Sequence, residues 1–154
     1  MRNEVQDEVR LDLDRFVPYR LSVLTNRVSS AIARHYSERF NLSIPEWRVI
    51  AVLGQNPGLS AREVAERTAM DKVQVSRAVA SLLAARRLTR EAHASDGRVA
   101  HLSLSARGRA IYDEVVPLAL RLEKRLLSVL TARERDMLDQ LLTKLSTADL
   151  DQTV

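Results

Sequence analysis

The strongest constraint on the fold comes from two short amphipathic segments that only Ala69 and Met70 separate. The first opens with Ser60-Ala-Arg-Glu63, a capping box in which the serine and glutamate side chains bond each other's free amides at a helix start. Asp71 can cap the second, whose apolar residues recur at three- and four-residue spacing as far as Leu83. Two short helices joined by so brief a turn are typical of a helix-turn-helix unit.

The spacing of apolar residues changes after Arg87. Residues 88–92 are strand-like, 93–97 hold turn-forming residues, and 98–104 alternate between apolar and polar side chains. We therefore predict a β-hairpin after the helix-turn-helix, which is the order of a winged helix. The predicted fold class is mainly α, an α+β winged helix with one hairpin as its wing.

Amphipathic helices flank the winged unit on both sides. One is predicted from Pro18 to about Phe40, and Ser43-Ile-Pro-Glu46 can cap a second. Two more, at 109–129 and 131–148, carry more leucine than a small winged helix can cover. A monomer would expose this surface as a large apolar patch, so we predict a homodimer.

The homodimer suggests how the single predicted domain, 1–154, is divided. About 1–42 and 109–154 form dimerisation helices, and about 43–108 form the winged helix-turn-helix lobe. A two-fold dimer would place one recognition helix on each half of a pseudo-palindromic operator in double-stranded DNA, with half-sites about one helical turn apart.

The distribution of charge favours a polyanionic partner. The chain has 24 Lys and Arg against 20 Asp and Glu, a formal net charge of +4. Nine of the basic and five of the acidic residues lie between Ser60 and Gly108, so the excess is confined to that stretch. A concentrated basic surface suits a polyanion, although a solvated basic face gives the same count.

The helix that starts at Asp71 combines an apolar inner face with a polar outer face. Gln74 on the outer face can pair with adenine, Arg77 with guanine, and Val73 can touch a thymine methyl group. Lys72 and Ser76 suit phosphates or base edges, and the start of the preceding helix can hold a phosphate as well. Each of these side chains would also be ordinary on a solvated helix face.

The hairpin tip, Ser95-Asp-Gly-Arg98, completes the predicted interface. An arginine held out on a wing can enter a narrow minor groove, where the negative potential is enhanced, and Asp96 can brace the turn. The alternative interpretation is an Asp-Gly turn whose flanking charges only keep it soluble. The predicted DNA-binding residues are Ser60, Arg62, Lys72, Val73, Gln74, Ser76, Arg77, Arg90, Asp96 and Arg98.

The chain resembles the MarR family of transcriptional regulators over nearly its whole length. Asp96 and Arg98 match the family's wing motif, although many members carry a second arginine where this chain has Gly97. The resemblance implies a dimer with interlocked terminal helices. The matching runs are 59–66, 70–79, 88–90, 95–98 and 104–108.

The resemblance further implies an effector, a small and often aromatic or phenolic acid that releases the protein from DNA. Its pocket would lie between the dimerisation helices and the DNA-binding lobe, beside the first two helices. An aromatic carboxylate or its coenzyme A thioester is the expected ligand, and core packing or solvation would explain the same side chains equally well. The predicted ligand-binding residues are Tyr19, Arg20, Arg27, His35, Trp47 and Arg48.

The sequence lacks the patterns that catalysis or metal binding requires. His35, His93 and His101 are scattered, and neither HxxxH nor HExxH occurs. There is no cysteine, no GxGxxG, no GxxxxGK and no GxSxG. We therefore predict that the protein is not an enzyme and has no catalytic residues, metal site or cofactor.

The sequence shows no segment that would place the chain in a membrane or direct it to secretion. No apolar run approaches the ~18 residues that span a bilayer, and the charged start lacks a signal-peptide core. We expect a cytoplasmic protein without a membrane partner. Two alternatives stay open: a ligand-independent or architectural DNA-binding protein, and a protein-interaction module that uses the helical stripes.

Overall fold

The computed structural model describes residues 10–92, 95 and 99–150. The described residues are mainly helical with one small antiparallel hairpin, as the sequence predicted. None of their helices is long and apolar enough to cross a bilayer. The elements are α1 Val17–Phe40, α2 Ile44–Gln55, α3 Ala61–Thr68, α4 Lys72–Ala84, β1 Leu88–Ala92, β2 Ala100–Leu104, α5 Ala106–Leu127 and α6 Ala132–Ser146.

The helices begin where the capping residues predicted. The box at α3 is closed in both directions, since the amide of Glu63 donates to Ser60 Oγ at 3.3 Å and the amide of Ser60 donates to Glu63 Oε2 at 2.8 Å. Boxes of the same form open α2 and α6. Asp71 accepts from the amide of Gln74 at 2.8 Å and caps α4. Local sequence therefore determines these helix starts.

The helix-turn-helix packs on α2 through one apolar core. Val64 of α3, Val75 and Leu82 of α4, and Ile50 and Leu53 of α2 are all buried in it. Burying a side chain of this size stabilises a fold by about 1.5–3 kcal/mol. This core holds α4 with its opposite face toward solvent.

The wing is joined to the loop before α3. β1 and β2 pair in register from Leu88 opposite Leu104 to Ala92 opposite Ala100. Leu102 of β2 donates its amide to the Leu59 carbonyl at 2.8 Å. Because Leu59 directly precedes the N-cap of α3, the wing and the helix-turn-helix form one hydrogen-bonded unit.

Arg87 links the end of α4 to the end of α1. Its guanidinium donates to the carbonyls of Phe40 and Asn41, where α1 ends in a left-handed residue with φ 48°. Its own carbonyl accepts from the amide of Ser105 at 3.0 Å, just before α5. The charge count assigned Arg87 to the basic stretch, but the structure uses its charge at a helix C-terminus, where cations are favoured.

Large apolar side chains remain exposed on the terminal helices of the single chain. Leu11 near the start is 64% exposed, Leu120 on α5 is 58% exposed and Val129 after it is 83% exposed. Along α6, one stripe of large apolar residues is exposed, namely Met137, Leu138, Leu141, Leu142 and Leu145. The core thus includes α2 to α4 with Tyr36 of α1 and Ile111 and Val115 of α5, and it leaves these faces uncovered.

Candidate nucleic-acid interface

The outer face of α4 presents the five side chains that the sequence predicted for it. The inner positions Val75, Ala78, Val79 and Leu82 are buried, which fixes the rotation of the helix about its axis. Val73 is 58% exposed although it is apolar. The exposed residues of this face are Lys72, Val73, Gln74, Ser76 and Arg77.

A groove between α3, α4 and β1 gathers further predicted residues. It has a volume of about 420 Å³ and an apolar floor that includes Ala65 and Val75. Arg62 of α3, Lys72 of α4 and Arg90 of β1 line it, so three cations from three elements face one surface. Such a cluster beside an exposed helix face suits a phosphate backbone.

The Arg62 side chain already has a protein partner. Its Nε donates to Glu66 Oε1 at 3.1 Å, and both side chains are well exposed. An exposed pair of this kind stabilises a protein by only about 0.2–1 kcal/mol. A phosphate can therefore take the place of Glu66 at little cost.

The side chains that cap α3 and α4 also form hydrogen bonds within the chain. The Ser60 hydroxyl donates to Glu63 Oε2 at 2.8 Å. The hydrogen bonds from the Ser60 amide and side chain lower the pKa of the Glu63 carboxyl. The Asp71 carboxylate accepts from the Gln74 amide, which places a negative charge at the start of α4. Ser60 would have to share its hydroxyl to hold a phosphate.

The two wing-tip residues, Asp96 and Arg98, lie outside the described residues. Ser95 is exposed, and Val99 at the return of the hairpin is 39% exposed. Below the tip, Arg90 pairs with Leu102 across the strands.

The comparisons with known proteins decide the family. The sequence profile of the MarR family matches residues 40–99. The HTH-type transcriptional repressor Rv2887 of Mycobacterium tuberculosis is 30% identical over 131 residues, which cover 84% of this chain and 91% of that protein. The chain belongs to the MarR family. It is a DNA-binding transcriptional regulator, as the resemblance implied, and its relatives are regulators and not enzymes.

Solved structures of MarR regulators share its fold. A MarR/EmrR family transcriptional regulator from Acinetobacter sp. ADP1 is similar with a TM-score of 0.80 and 28% identity, covering 88% of this chain and 96% of that one. BpsR of Bordetella bronchiseptica has a TM-score of 0.79 at 24% identity and covers 92% of this chain and 100% of that one. The predicted winged-helix fold class is confirmed.

The residues predicted for an effector fall into separate places in this MarR-family chain. Tyr19, Arg20 and Arg27 line one open groove on α1, with a volume of about 300 Å³. His35 is exposed farther along α1. Arg48 of α2 donates to Ser29 Oγ at 3.5 Å.

Trp47 is partly buried against the core and does not line the α1 groove. Its ring packs between those of Tyr36, at a centroid distance of 5.6 Å, and Tyr112, at 6.4 Å. Burial raises the pKa of the Tyr36 phenol to about 12, although the nearby Arg48 opposes this. The structure brings three of the six predicted residues together and separates the other three.

A hydrogen bond that the sequence did not reveal joins α2 to α4. Ser81 Oγ on α4 donates to Glu46 Oε1 at 2.6 Å, while the other carboxylate oxygen completes the capping box with Ser43. Burial raises the pKa of Glu46, but hydrogen bonds from Ser81 and Ser43 and the charge of Arg87 outweigh it, so the pKa is lowered. The capping box uses only one carboxylate oxygen of Glu46, so the sequence already indicated that the other oxygen needed a partner.

Proposed function

We propose that this MarR-family regulator is a homodimeric repressor of a pseudo-palindromic operator and that a small aromatic carboxylate, or its coenzyme A thioester, releases it from DNA. The observation that carries the proposal is the exposed polar face of α4 beside a groove lined by three cations. The name of Rv2887 as a repressor supports the direction of control.

Each predicted DNA contact has a role within this proposal. Gln74 and Arg77 read base edges in the major groove, and Val73 touches a thymine methyl group. Lys72, Arg62 and Arg90 neutralise phosphates, with Ser60 and Ser76 beside them. Asp96 and Arg98 form the wing contact in the minor groove.

The exposed apolar faces support the dimer. The stripe on α6 and the apolar residues near the start of α1 are typical of a surface that another subunit covers. About 1–42 and 109–154 would then be dimerisation helices, and about 43–108 the DNA-binding lobe. A second copy also doubles the number of recognition helices, which a short α4 needs for useful affinity.

The groove on α1 is the proposed effector site. Arg20 and Arg27 line the same groove as Tyr19 and Asp14, so two cations outnumber one carboxylate there. A guanidinium binds a carboxylate through two parallel hydrogen bonds. DNA binding by BpsR is regulated by 6-hydroxynicotinic acid, a small aromatic acid. Trp47, Arg48 and His35 belong to the predicted set but do not line this groove.

A DNA-binding titration tests the proposal. The purified protein selects duplexes from a random pool, and fluorescence anisotropy then measures affinity for a selected duplex across a salt series. Phosphate contacts predict a steep fall of affinity with salt, whereas a flat slope contradicts direct DNA binding. Benzoate, salicylate and benzoyl-coenzyme A are then added. If none of them lowers affinity at any concentration, the ligand-independent alternative replaces the effector proposal.

A further inference from the structure

Gly54 of α2 and Tyr112 of α5 make an unusually close contact. A Cβ atom on Gly54 would lie 2.7 Å from Tyr112 Cζ and closer still to two other ring atoms. Gly54 sits inside a helix, so the requirement for glycine here comes from the neighbouring ring. Any larger residue must displace the ring or α5 itself.

Arg109 closes the same contact from the other side. Its Nη1 donates to the Gly54 carbonyl at 3.2 Å, and its guanidinium carbon lies 5.0 Å from the centroid of the Tyr112 ring. Arg109 and Tyr112 are three residues apart, so they share one face of α5. One turn of α5 is thus held against one residue of α2 by packing, a hydrogen bond and a cation–π contact.

The contact continues into the dimerisation side of the chain. The Tyr112 ring packs on Trp47 of α2, and Trp47 packs on the buried Tyr36 of α1. Arg39 of α1 also pairs with Glu114 of α5 at 2.5 Å. Aromatic contacts and an ion pair therefore link α1, α2 and α5 where the winged lobe joins the long helices.

The position of this contact along α5 gives it leverage. α5 starts at Ala106, directly after the wing, and ends at Leu127, near the exposed apolar faces. α5 runs as one helix from Ala106 to Leu127 through Pro117. From Tyr112 to Leu127 is about 22 Å along its axis, so a tilt of the whole helix by about 5° at Tyr112 moves Leu127 by about 2 Å. Small changes at Tyr112 become large at the far end.

We propose that the Gly54–Tyr112 contact sets the angle between the winged lobe and the C-terminal helices, and through it the distance between the two recognition helices of the dimer. Tyr112, Gly54 and Arg109 are then positioning residues that determine which operator spacing the protein accepts. This inference rests on the proposed dimer that binds two half-sites. A shift by one base pair also rotates a half-site around the duplex, so spacing is a sensitive measure of this angle.

A double-mutant cycle tests the inference on operator spacing. Wild type, Gly54→Ala, Tyr112→Ala and the double variant are titrated against a duplex that the wild type selects from a random pool. The same duplex is also made with one or two base pairs added or removed at its centre. Gly54→Ala is expected to move the preferred spacing and to weaken binding to the original duplex by about tenfold or more, since misplaced base contacts each cost that order.

The double variant distinguishes a specific contact from general damage. With the ring removed, the added methyl group no longer meets an obstacle, so the double variant should behave like Tyr112→Ala alone. Tyr112→Phe keeps the ring and should keep the wild-type spacing. An equal loss from Gly54→Ala with and without the ring, or an unchanged spacing preference in Gly54→Ala, overturns the inference.

Two further measurements keep the outcomes separate. Light scattering and thermal unfolding establish that each variant is a folded dimer. If Gly54→Ala does not fold, Arg109→Gln, which adds no bulk, should broaden the accepted spacings, and an unchanged preference in that variant counts against the inference. A wild type that selects no duplex, or that ignores spacing, contradicts the proposed two-half-site dimer instead.

Discussion

Ser81 of α4 and Glu46 of α2 share a hydrogen bond of 2.6 Å that fastens α4 to the start of α2. The carboxylate also completes a capping box, so one side chain orders two helices. The lowered pKa of Glu46 means that the charged form is the one that these contacts stabilise.

Replacing Ser81 should therefore produce a pH-dependent loss of stability. Because the pKa of Glu46 in the folded state lies below its ordinary value of 4.5, its contribution is present above that pH and is lost as the pH falls through the folded-state pKa. We expect Ser81→Ala to lower the free energy of unfolding by about 1 kcal/mol at neutral pH and by less near pH 3. Urea unfolding at both pH values measures this. Ser30→Ala, at an exposed position of α1, is the control, and an equal loss at both pH values would count against the tie.

Asp71 should support the fold and oppose DNA binding at the same time. Its carboxylate caps α4 but puts a negative charge beside the proposed phosphate contacts. We expect Asp71→Ala to lower the free energy of unfolding by about 1 kcal/mol, whereas Asp71→Asn keeps an acceptor for the cap and most of the stability. Asp71→Asn should bind the selected duplex severalfold more tightly. Weaker binding by a stable Asp71→Asn protein would contradict this placement of α4 on DNA.

Replacing Arg87 should affect the stability of the fold, whereas replacing Arg77 should affect DNA binding. Arg87 donates to backbone carbonyls at the end of α1, while Arg77 is exposed on the outer face of α4. We expect Arg87→Ala to lower the free energy of unfolding by about 2 kcal/mol. Arg77→Ala should leave stability within about 0.5 kcal/mol and weaken binding to the selected duplex by about tenfold. Thermal unfolding and anisotropy on both variants check the contrast, and the reverse pattern would refute the assignment.

Arg27 should govern the response to an aromatic acid. If the α1 groove holds the carboxylate, Arg27→Ala should raise the concentration of salicylate or benzoyl-coenzyme A that half-releases DNA by about tenfold, with DNA affinity unchanged. Arg121→Ala is the control, because Arg121 is exposed on α5 and lines neither of the two grooves that Arg27 lines. Anisotropy with increasing ligand measures both variants. Equal responses of the two variants would move the effector site elsewhere.

The local features of this protein follow from short stretches of its sequence. Ser60, Asp71 and Thr131 mark helix starts because a cap needs only residues within one turn. The period of the apolar residues determined which face of α4 is buried, and the change of period predicted the wing. The exposed face of α4 could be named residue by residue for the same reason.

Which distant side chains meet becomes visible only when the helices are packed together. Arg87 looked like one more cation of a basic stretch, yet it caps α1, which precedes it by more than forty residues in sequence. Trp47 looked like a ligand wall and packs between two tyrosines. Gly54 carried no signal until Tyr112 lay against it. Periodicity identifies the helix face on which a residue lies. The partner that the residue meets on that face depends on how whole helices pack, and no short stretch of sequence encodes that packing.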